Sequence, residues 1–152
     1  MDAFASQTIK DQEGTSTLSS VTTTYTYNTT DNRLDPSSGT DLSATWEFAG
    51  VGGTEKFSKY ILDSRHFWPW KWDTVFSAHG QVGYVHALNG DSEDVPIDER
   101  FFLGGIYSLR GFESREVGPR DEFGDFIGGD TEAYFNFEYI FPLVKDLGLK
   151  GV

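Results

Sequence analysis

The sequence predicts an all-β protein of antiparallel, up-and-down strands, and three observations support this prediction. The composition favours strands and turns, with 13 Phe, 7 Tyr, 4 Trp and 17 Gly in 152 residues. Apolar and polar side chains alternate in several segments, as they do in strands that have two different faces. Gly, Pro, Asn and Asp separate many of these segments, which indicates turns between neighbouring strands.

The first two strands are predicted over residues 16–27 and 39–49. The first is dominated by Thr, Ser, Val and Tyr, which favour strands, and the stretch after it is marked as a turn by Pro36 and Gly39. The second strand alternates cleanly and is expected to have an apolar and a polar face. Its apolar face carries Leu42, Ala44, Trp46 and Phe48, and its polar face carries Ser43, Thr45 and Glu47.

Residues 56–66 are predicted to return as the third strand after a glycine-rich hairpin. Polar side chains share one face of this strand, and the aromatic sequence at 67–72 is interpreted as a short turn. Because this turn contains three Trp, it is typical of the aromatic girdle where barrel strands meet the membrane interface. The hairpin residues are Gly50, Gly52 and Gly53, and the polar face carries Lys59, Asp63 and Arg65.

The fourth and fifth strands are predicted over residues 74–88 and 130–141, on either side of a long loop at 89–129. In the fifth strand, Phe135 and Phe137 lie on one face, and Glu138 lies on the other. A loop of this length is uncommon in a compact domain and is usually functional or disordered. A sixth strand is expected to begin near Leu147.

Composition excludes several classes of function. The formal net charge of −12 argues against nucleic acid as a partner, because phosphate binding requires clustered Lys and Arg. The absence of Cys removes disulfides, thiol catalysis and thiolate metal sites. No apolar run approaches the roughly 20 residues of a membrane-spanning helix, although a barrel strand would give a weaker signal. The amino terminus has no signal-peptide pattern, so an exported protein would have to be represented here by a fragment.

The long loop contains a motif that carries a resemblance to a known family. Glu99-Arg100-Phe101-Phe102-Leu103-Gly104-Gly105-Ile106-Tyr107-Ser108-Leu109-Arg110-Gly111-Phe112 resembles the signature of the BamA-like outer-membrane assembly and translocation barrels. In that family, a Gly-Gly step precedes a hydrophobic-Arg-Gly-aromatic tetrapeptide in an extracellular loop. The turn containing Asp35-Pro36 and the strand ending in Phe141-Pro142 also resemble family elements, in family order.

The resemblance implies that this loop folds back into the barrel and that Arg110 contacts acidic residues on the inner wall. Glu138 is the expected partner, because it lies on the polar face of the strand after the loop. Gly111 would allow a close approach to the wall or a positive φ, and Phe112 would pack to fix the tip. The expected functional motif comprises Gly104, Gly105, Leu109, Arg110, Gly111 and Phe112.

By the same resemblance, the chain is expected to be a single region, residues 1–152, from the late part of a barrel in the bacterial outer membrane. Its parent would fold and insert other outer-membrane proteins, without enzymatic activity or cofactor. The implied partners are unfolded outer-membrane proteins, the lipid bilayer and, through parts absent from this chain, assembly lipoproteins. The two free sheet edges of such a fragment are expected to promote self-association.

Two alternatives and several weaker motifs are also considered. The parent could be a two-partner secretion transporter of the same family, or the chain could be a soluble β-sandwich binding module. Neither the His residues nor the acidic clusters match a recognised metal motif, and a solvated loop is the preferred interpretation of the clusters. The residues concerned are His66, His79 and His86; Asp91, Glu93, Asp94, Asp98 and Glu99; and Asp121, Glu122, Asp125 and Asp130.

Overall fold

The protein folds as one antiparallel sheet of six strands in chain order, β1-β2-β3-β4-β5-β6. The structure is a computed structural model that describes residues 16–90, 94–144 and 149–152. Each strand pairs with the next one along the chain, which gives the up-and-down arrangement predicted from the sequence. The strands are β1 (Ser20–Asn28), β2 (Gly39–Ala49), β3 (Phe57–Pro69), β4 (Val75–Ala87), β5 (Thr131–Val144) and β6 (Leu149–Gly151).

The predicted all-β, up-and-down fold is confirmed, and the boundaries of the first five strands agree within four residues. The position near Leu147, where a sixth strand was expected to begin, lies outside the described residues, and β6 is described from Leu149. Within the described ranges, no helix is long and apolar enough to cross a membrane. The aromatic face of the sheet is not covered by a second sheet in this part of the chain, which contradicts the β-sandwich alternative.

The prediction of an aromatic turn at residues 67–72 was wrong about where the strand ends. β3 continues to Pro69, which is paired with Val75, and Phe67 is a buried strand residue. Proline is tolerated at this position because the end of a strand makes few demands on its missing N–H. The actual turn is closed by a hydrogen bond of 2.8 Å from Trp70 N to Thr74 O.

The register places two chemically different sets of side chains on the two faces of the sheet. Residues directly opposite each other in a β-ladder share a face, so Thr45, Ile61 and Gly83 lie together on one side. We call this side the inner face because the long loop between β4 and β5 folds over it. The outer face carries most of the aromatic strand residues, among them Trp46, Tyr60, Trp68, Phe76, Tyr84, Phe135, Phe137 and Tyr139.

Burial is concentrated on the inner face, at the end of the sheet where the long loop begins. Phe57 of β3 and Val85 of β4 are completely buried there, together with Val95 and Phe101 of the loop. Ala49 completes this cluster, and Ile61 and Ala87 pack against it. The main apolar core of the described chain is therefore made between the sheet and the loop, and not between two sheets.

Candidate functional site

The inner face of β3, β4 and β5 is a polar wall whose side chains bind one another. His79 Nε2 and Asp63 Oδ2 are 2.6 Å apart, as expected if both face the inside of the sheet. Gln81 donates from Nε2 to Glu132 Oε1, and its Oε1 accepts a hydrogen bond of 3.3 Å from Tyr134 Oη. These contacts satisfy polar groups that are buried or partly buried, which lowers the cost of removing them from water.

The long loop has its own backbone pairing and is more ordered than its irregular sequence suggested. Two isolated β-bridges join its two arms, a third lies within the second arm, and a 3-10 helix occupies Ile97–Glu99. The first bridge is reciprocal, with hydrogen bonds of 2.9 Å from Phe101 N to Gly129 O and from Gly129 N to Phe101 O. The bridges are Phe101 with Gly129, Leu103 with Val117 and Arg120 with Phe126. We call residues 95–103 the loop base and residues 104–116 the loop tip.

The loop tip begins at the Gly-Gly step, where both glycines adopt a backbone that other residues rarely take. Gly104 has φ +119° and Gly105 has φ +83°, and a Cβ on Gly104 would lie 2.1 Å from Glu113 O. Ser108 closes the turn, because its hydroxyl accepts a hydrogen bond from Gly104 N at 2.9 Å. Gly104 and Gly105 therefore allow the chain to reverse direction at this point.

Two contacts attach the loop tip to β5. The guanidinium of Arg110 donates from Nη2 to Glu138 Oε1 in a charge-assisted hydrogen bond. The amide of Asn136 donates to Ser108 O at 2.9 Å, one position further along the same face of the strand. The Arg110 side chain nevertheless remains 63% exposed, so water screens the ion pair and limits its contribution to stability.

The other motif residues differ in what they contact. Gly111 has φ +94° with no atom within 4 Å of an added Cβ, so its role is conformational and does not involve a close approach. Leu109 is partly buried. Phe112 is 57% exposed, so its ring is not packed against the wall, although its carbonyl accepts a hydrogen bond from Gly105 N at 3.0 Å.

Sequence reasoning did not identify the contacts of the loop base. Lys59 of β3 forms an ion pair of 3.2 Å with Glu99, and Phe101 is packed over Gly83 of β4. The available signals were the position of Lys59 on a polar strand face and of Glu99 and Phe101 at the start of the motif. Neither position identifies the partner in advance. Lys59 and Glu99 are 40 residues apart in the sequence, so their pairing depends on how the loop folds back.

The polar groups of the site can bind charged or hydrogen-bonding partners. His66 and His86 lie on the outer face while His79 lies on the inner face, so the three histidines are not brought together. Among the described residues, no group of three or more His, Asp or Glu is placed to hold a metal ion. Asp91 and Glu93 lie outside the described residues.

Comparison with known proteins gives a consistent set of matches over most or all of the chain. A model described as the Omp85 superfamily domain matches residues 1–152. The outer membrane protein assembly factor BamA of Nitratidesulfovibrio vulgaris is 38% identical over 162 residues, covering 98% of this chain and 19% of the relative. A SAM50-like protein of Schizosaccharomyces pombe is 33% identical over 149 residues, covering 93% of this chain and 30% of the relative.

The fold is also similar to a solved structure. The crystal structure of BamA from Haemophilus ducreyi lacking POTRA domains 1–3 matches with a TM-score of 0.72 at 23% sequence identity. The match covers 81% of this chain and 25% of that chain. This chain thus spans less than a third of the length of the relatives named above.

Proposed function

Because this chain belongs to the Omp85 superfamily, we propose that it is part of an outer-membrane β-barrel that folds and inserts other outer-membrane proteins. The whole chain, residues 1–152, then forms one region of the barrel domain, and residues 88–130 are one of its loops. In this proposal the outer face meets lipid and the inner face lines the lumen. The location is the bacterial outer membrane, because the BamA relatives are named as outer membrane protein assembly factors.

The observation that supports this proposal most directly is that aromatic side chains are exposed on one face of the sheet while polar side chains are buried on the other. Aromatic residues of β5 are exposed on the outer face, with Phe137 at 81%, while Glu132 on the inner face is 8% exposed. In water this arrangement would leave a large apolar surface uncovered, whereas in a bilayer that surface is solvated by acyl chains. The names of the relatives then favour assembly of outer-membrane proteins over secretion of a single partner.

The site acts by binding and requires no chemical step of its own. Unfolded outer-membrane proteins and the lipid bilayer are the partners of the parent protein, and assembly lipoproteins would bind parts outside this chain. No cofactor or catalytic residue enters the proposal, and the chain is not an enzyme. The free edges of β1 and β6 are where further strands of the barrel would pair, and in the isolated chain they would promote association between copies.

The contact between Arg110 and Glu138 gives a test of this function in the full-length parent protein. A host in which that protein is the sole copy is compared with hosts carrying Arg110→Glu, Glu138→Arg or both changes. Each single change places like charges together and should reduce the amount of several different folded outer-membrane proteins. The double change restores opposite charges and should recover part of that loss. Folded barrels are counted by their heat-modifiable migration in gels.

A matched control and two contrary outcomes complete this test. Arg115→Glu changes a cation of the same loop tip that stacks on Phe102 at 3.8 Å from the ring centroid, and it should have a smaller effect. Loss of one exported protein only, with all other outer-membrane proteins at normal levels, would identify a secretion transporter. Recovery that fails in the double variant would mean that the two side chains do not act as a pair.

A further inference from the structure

The loop base is attached to the inner face by burial of an aromatic side chain. Phe101 is 7% exposed and lies in the same apolar cluster as Phe57, Val85 and Val95. Its ring occupies the space that a side chain at position 83 would take, since a Cβ built on Gly83 would lie 2.6 Å from the ring. The missing side chain of Gly83 therefore forms a slot in β4 into which Phe101 fits.

A charged pair reinforces the same position. Lys59 Nζ is 3.2 Å from Glu99 Oε2, and the two side chains are 16% and 22% exposed. The same ammonium lies 5.1 Å from the centroid of the Phe101 ring, within the range of a cation–π interaction. Lys59 thus contacts both the charge and the aromatic ring of the loop base.

Backbone hydrogen bonds also connect the loop base to the sheet, through the residues at the end of the loop just before β5. Phe101 and Gly129 exchange two hydrogen bonds of 2.9 Å, and the neighbouring Asp130 O accepts one of 2.8 Å from Val85 N of β4. The side chain of Arg100, itself buried, donates from Nε to Val95 O at 3.0 Å. The loop base is therefore fixed by its core, its charges and its backbone together.

The loop tip has much weaker attachments. Its ion pair involves a guanidinium that is 63% exposed, and Ile106 and Tyr107 are 72% and 83% exposed. An exposed ion pair contributes little to stability, whereas removal of a buried Phe side chain is strongly destabilising. Between the two parts stand Gly104 and Gly105, whose positive φ values are readily adopted by glycine and are strained for residues with a side chain.

From this contrast we propose that Phe101, Lys59 and Glu99 are positioning residues that keep the loop docked on the inner face while the loop tip can detach, with Gly104 and Gly105 as the hinge. The inference builds on the proposed placement of this face in a barrel lumen. It assigns the main anchor of the loop to the base, outside the Arg-Gly-Phe segment.

The test uses trypsin as a probe of loop position in the full-length protein reconstituted in lipid vesicles. Trypsin cuts after Arg100 in the loop base, which is 8% exposed, and after Arg110 in the loop tip, and mass spectrometry measures cleavage at each site. Phe101→Ala should raise cleavage after Arg100 about tenfold or more, because cleavage follows the population of the undocked base. Glu138→Gln removes the charge from one of the two tip contacts and should raise cleavage after Arg110, with less than about a fivefold change after Arg100. Phe123→Ala, a change at an exposed ring of the same loop, is the matched control.

Rescue variants separate positioning from general loss of stability. Phe101→Leu should restore most of the protection, and Lys59→Glu should expose the loop unless it is combined with Glu99→Lys. Heat-modifiable migration in gels shows for every variant that the barrel is folded, and the charge-swap series gives the answer if Phe101→Ala does not fold. The proposal is overturned if folded Phe101→Ala and Lys59→Glu leave cleavage after Arg100 unchanged, or if Glu138→Gln raises it as much as they do. Because cleavage is measured without assembly activity, a failure of the proposed function would not alter this result.

Discussion

The two faces of β5 differ sharply in their exposure to solvent. On the outer face Phe135 and Phe137 are 66% and 81% exposed, whereas Glu132 and Tyr134 on the inner face are each 8% exposed. A water-soluble sheet has the opposite arrangement, with its aromatic residues covered and its carboxylates in water. This difference shows that alternation along a strand indicates two different environments. It does not identify which of the two faces is buried in the protein.

The inner face supports burial because its polar groups are paired, whereas the outer face of β1 to β5 carries no Asp, Glu, Lys or Arg. Gln81 links Glu132 to Tyr134, and Asn136 holds a loop carbonyl. On the outer face, Trp46 is one of the few side chains with a hydrogen bond, to Ser58 Oγ at 2.9 Å. The same type of substitution should therefore destabilise the protein by different amounts on the two faces.

The largest expected effect comes from placing the same cation on each face in turn. Ala44 and Thr45 are adjacent near the middle of β2 and point to the outer and inner face respectively. Ala44→Arg should destabilise the protein in lipid by about 2–4 kcal/mol, because a charge near the bilayer midplane loses its hydration. Thr45→Arg reaches a wet lumen and should cost less than about 1 kcal/mol. Denaturant unfolding of the full-length protein in lipid vesicles measures both, and equal losses would contradict the assignment of the faces.

A second, smaller effect separates the faces by how freely an aromatic ring can move. An added Cβ would lie 2.6 Å from a ring atom at both Gly80 and Gly83, from Phe135 on the outer face and from Phe101 on the inner face. Gly83→Ala should cost about 1–3 kcal/mol, since Phe101 is confined by the core. Phe135 can turn toward lipid, so Gly80→Ala should cost clearly less in the same unfolding measurement. A larger loss at Gly80 would mean that the outer face is the more tightly packed one.

The smallest effect concerns the turn between β1 and β2, which belongs to neither face. Hydrogen bonds from the Ser37 hydroxyl, and then from the Ser37 and Ser38 amides, lower the pKa of Asp31 below its ordinary value. A lowered folded-state pKa means that this carboxylate stabilises the turn above the ordinary aspartate pKa. That contribution is lost as pH falls through the ordinary value toward the lowered one. The protection of the Ser37 and Ser38 amides, measured as their hydrogen-exchange rate relative to the intrinsic rate at the same pH, should therefore fall in acid, and Asp31→Asn should abolish most of that pH dependence.

The strands could be predicted because the pattern that identifies each strand lies within a few neighbouring residues. The alternation around Trp46 or Phe137 is visible in a few residues, and the register then follows from pairing each strand with the next. The end of β3 was misplaced because Pro69 and the Trp residues are as typical of turns as of strand ends. The geometry of the turn at 70–74 depends on a backbone bond between Trp70 and Thr74, which composition does not reveal.

The candidate site was predictable in part, and for a different reason. A resemblance singled out Arg110 and Glu138, but residues alone do not show how far a loop of this length folds back. The slot at Gly83 could not be foreseen, because a glycine in a strand indicates a close approach without naming what approaches. Such partners emerge when the loop closes over the inner face and brings Phe101 to β4.

The placement of the four tryptophans has a spectroscopic consequence. Trp46 lies near the end of β2 that leads into the glycine hairpin, while Trp68, Trp70 and Trp72 cluster at the opposite end of the sheet. The indoles that lie on the outer face therefore sit at two different depths if the strands cross a bilayer. Bromine atoms positioned at chosen carbons of a phospholipid chain would quench these two groups of fluorophores differently. The native tryptophans would therefore report their depth in the bilayer without an added label.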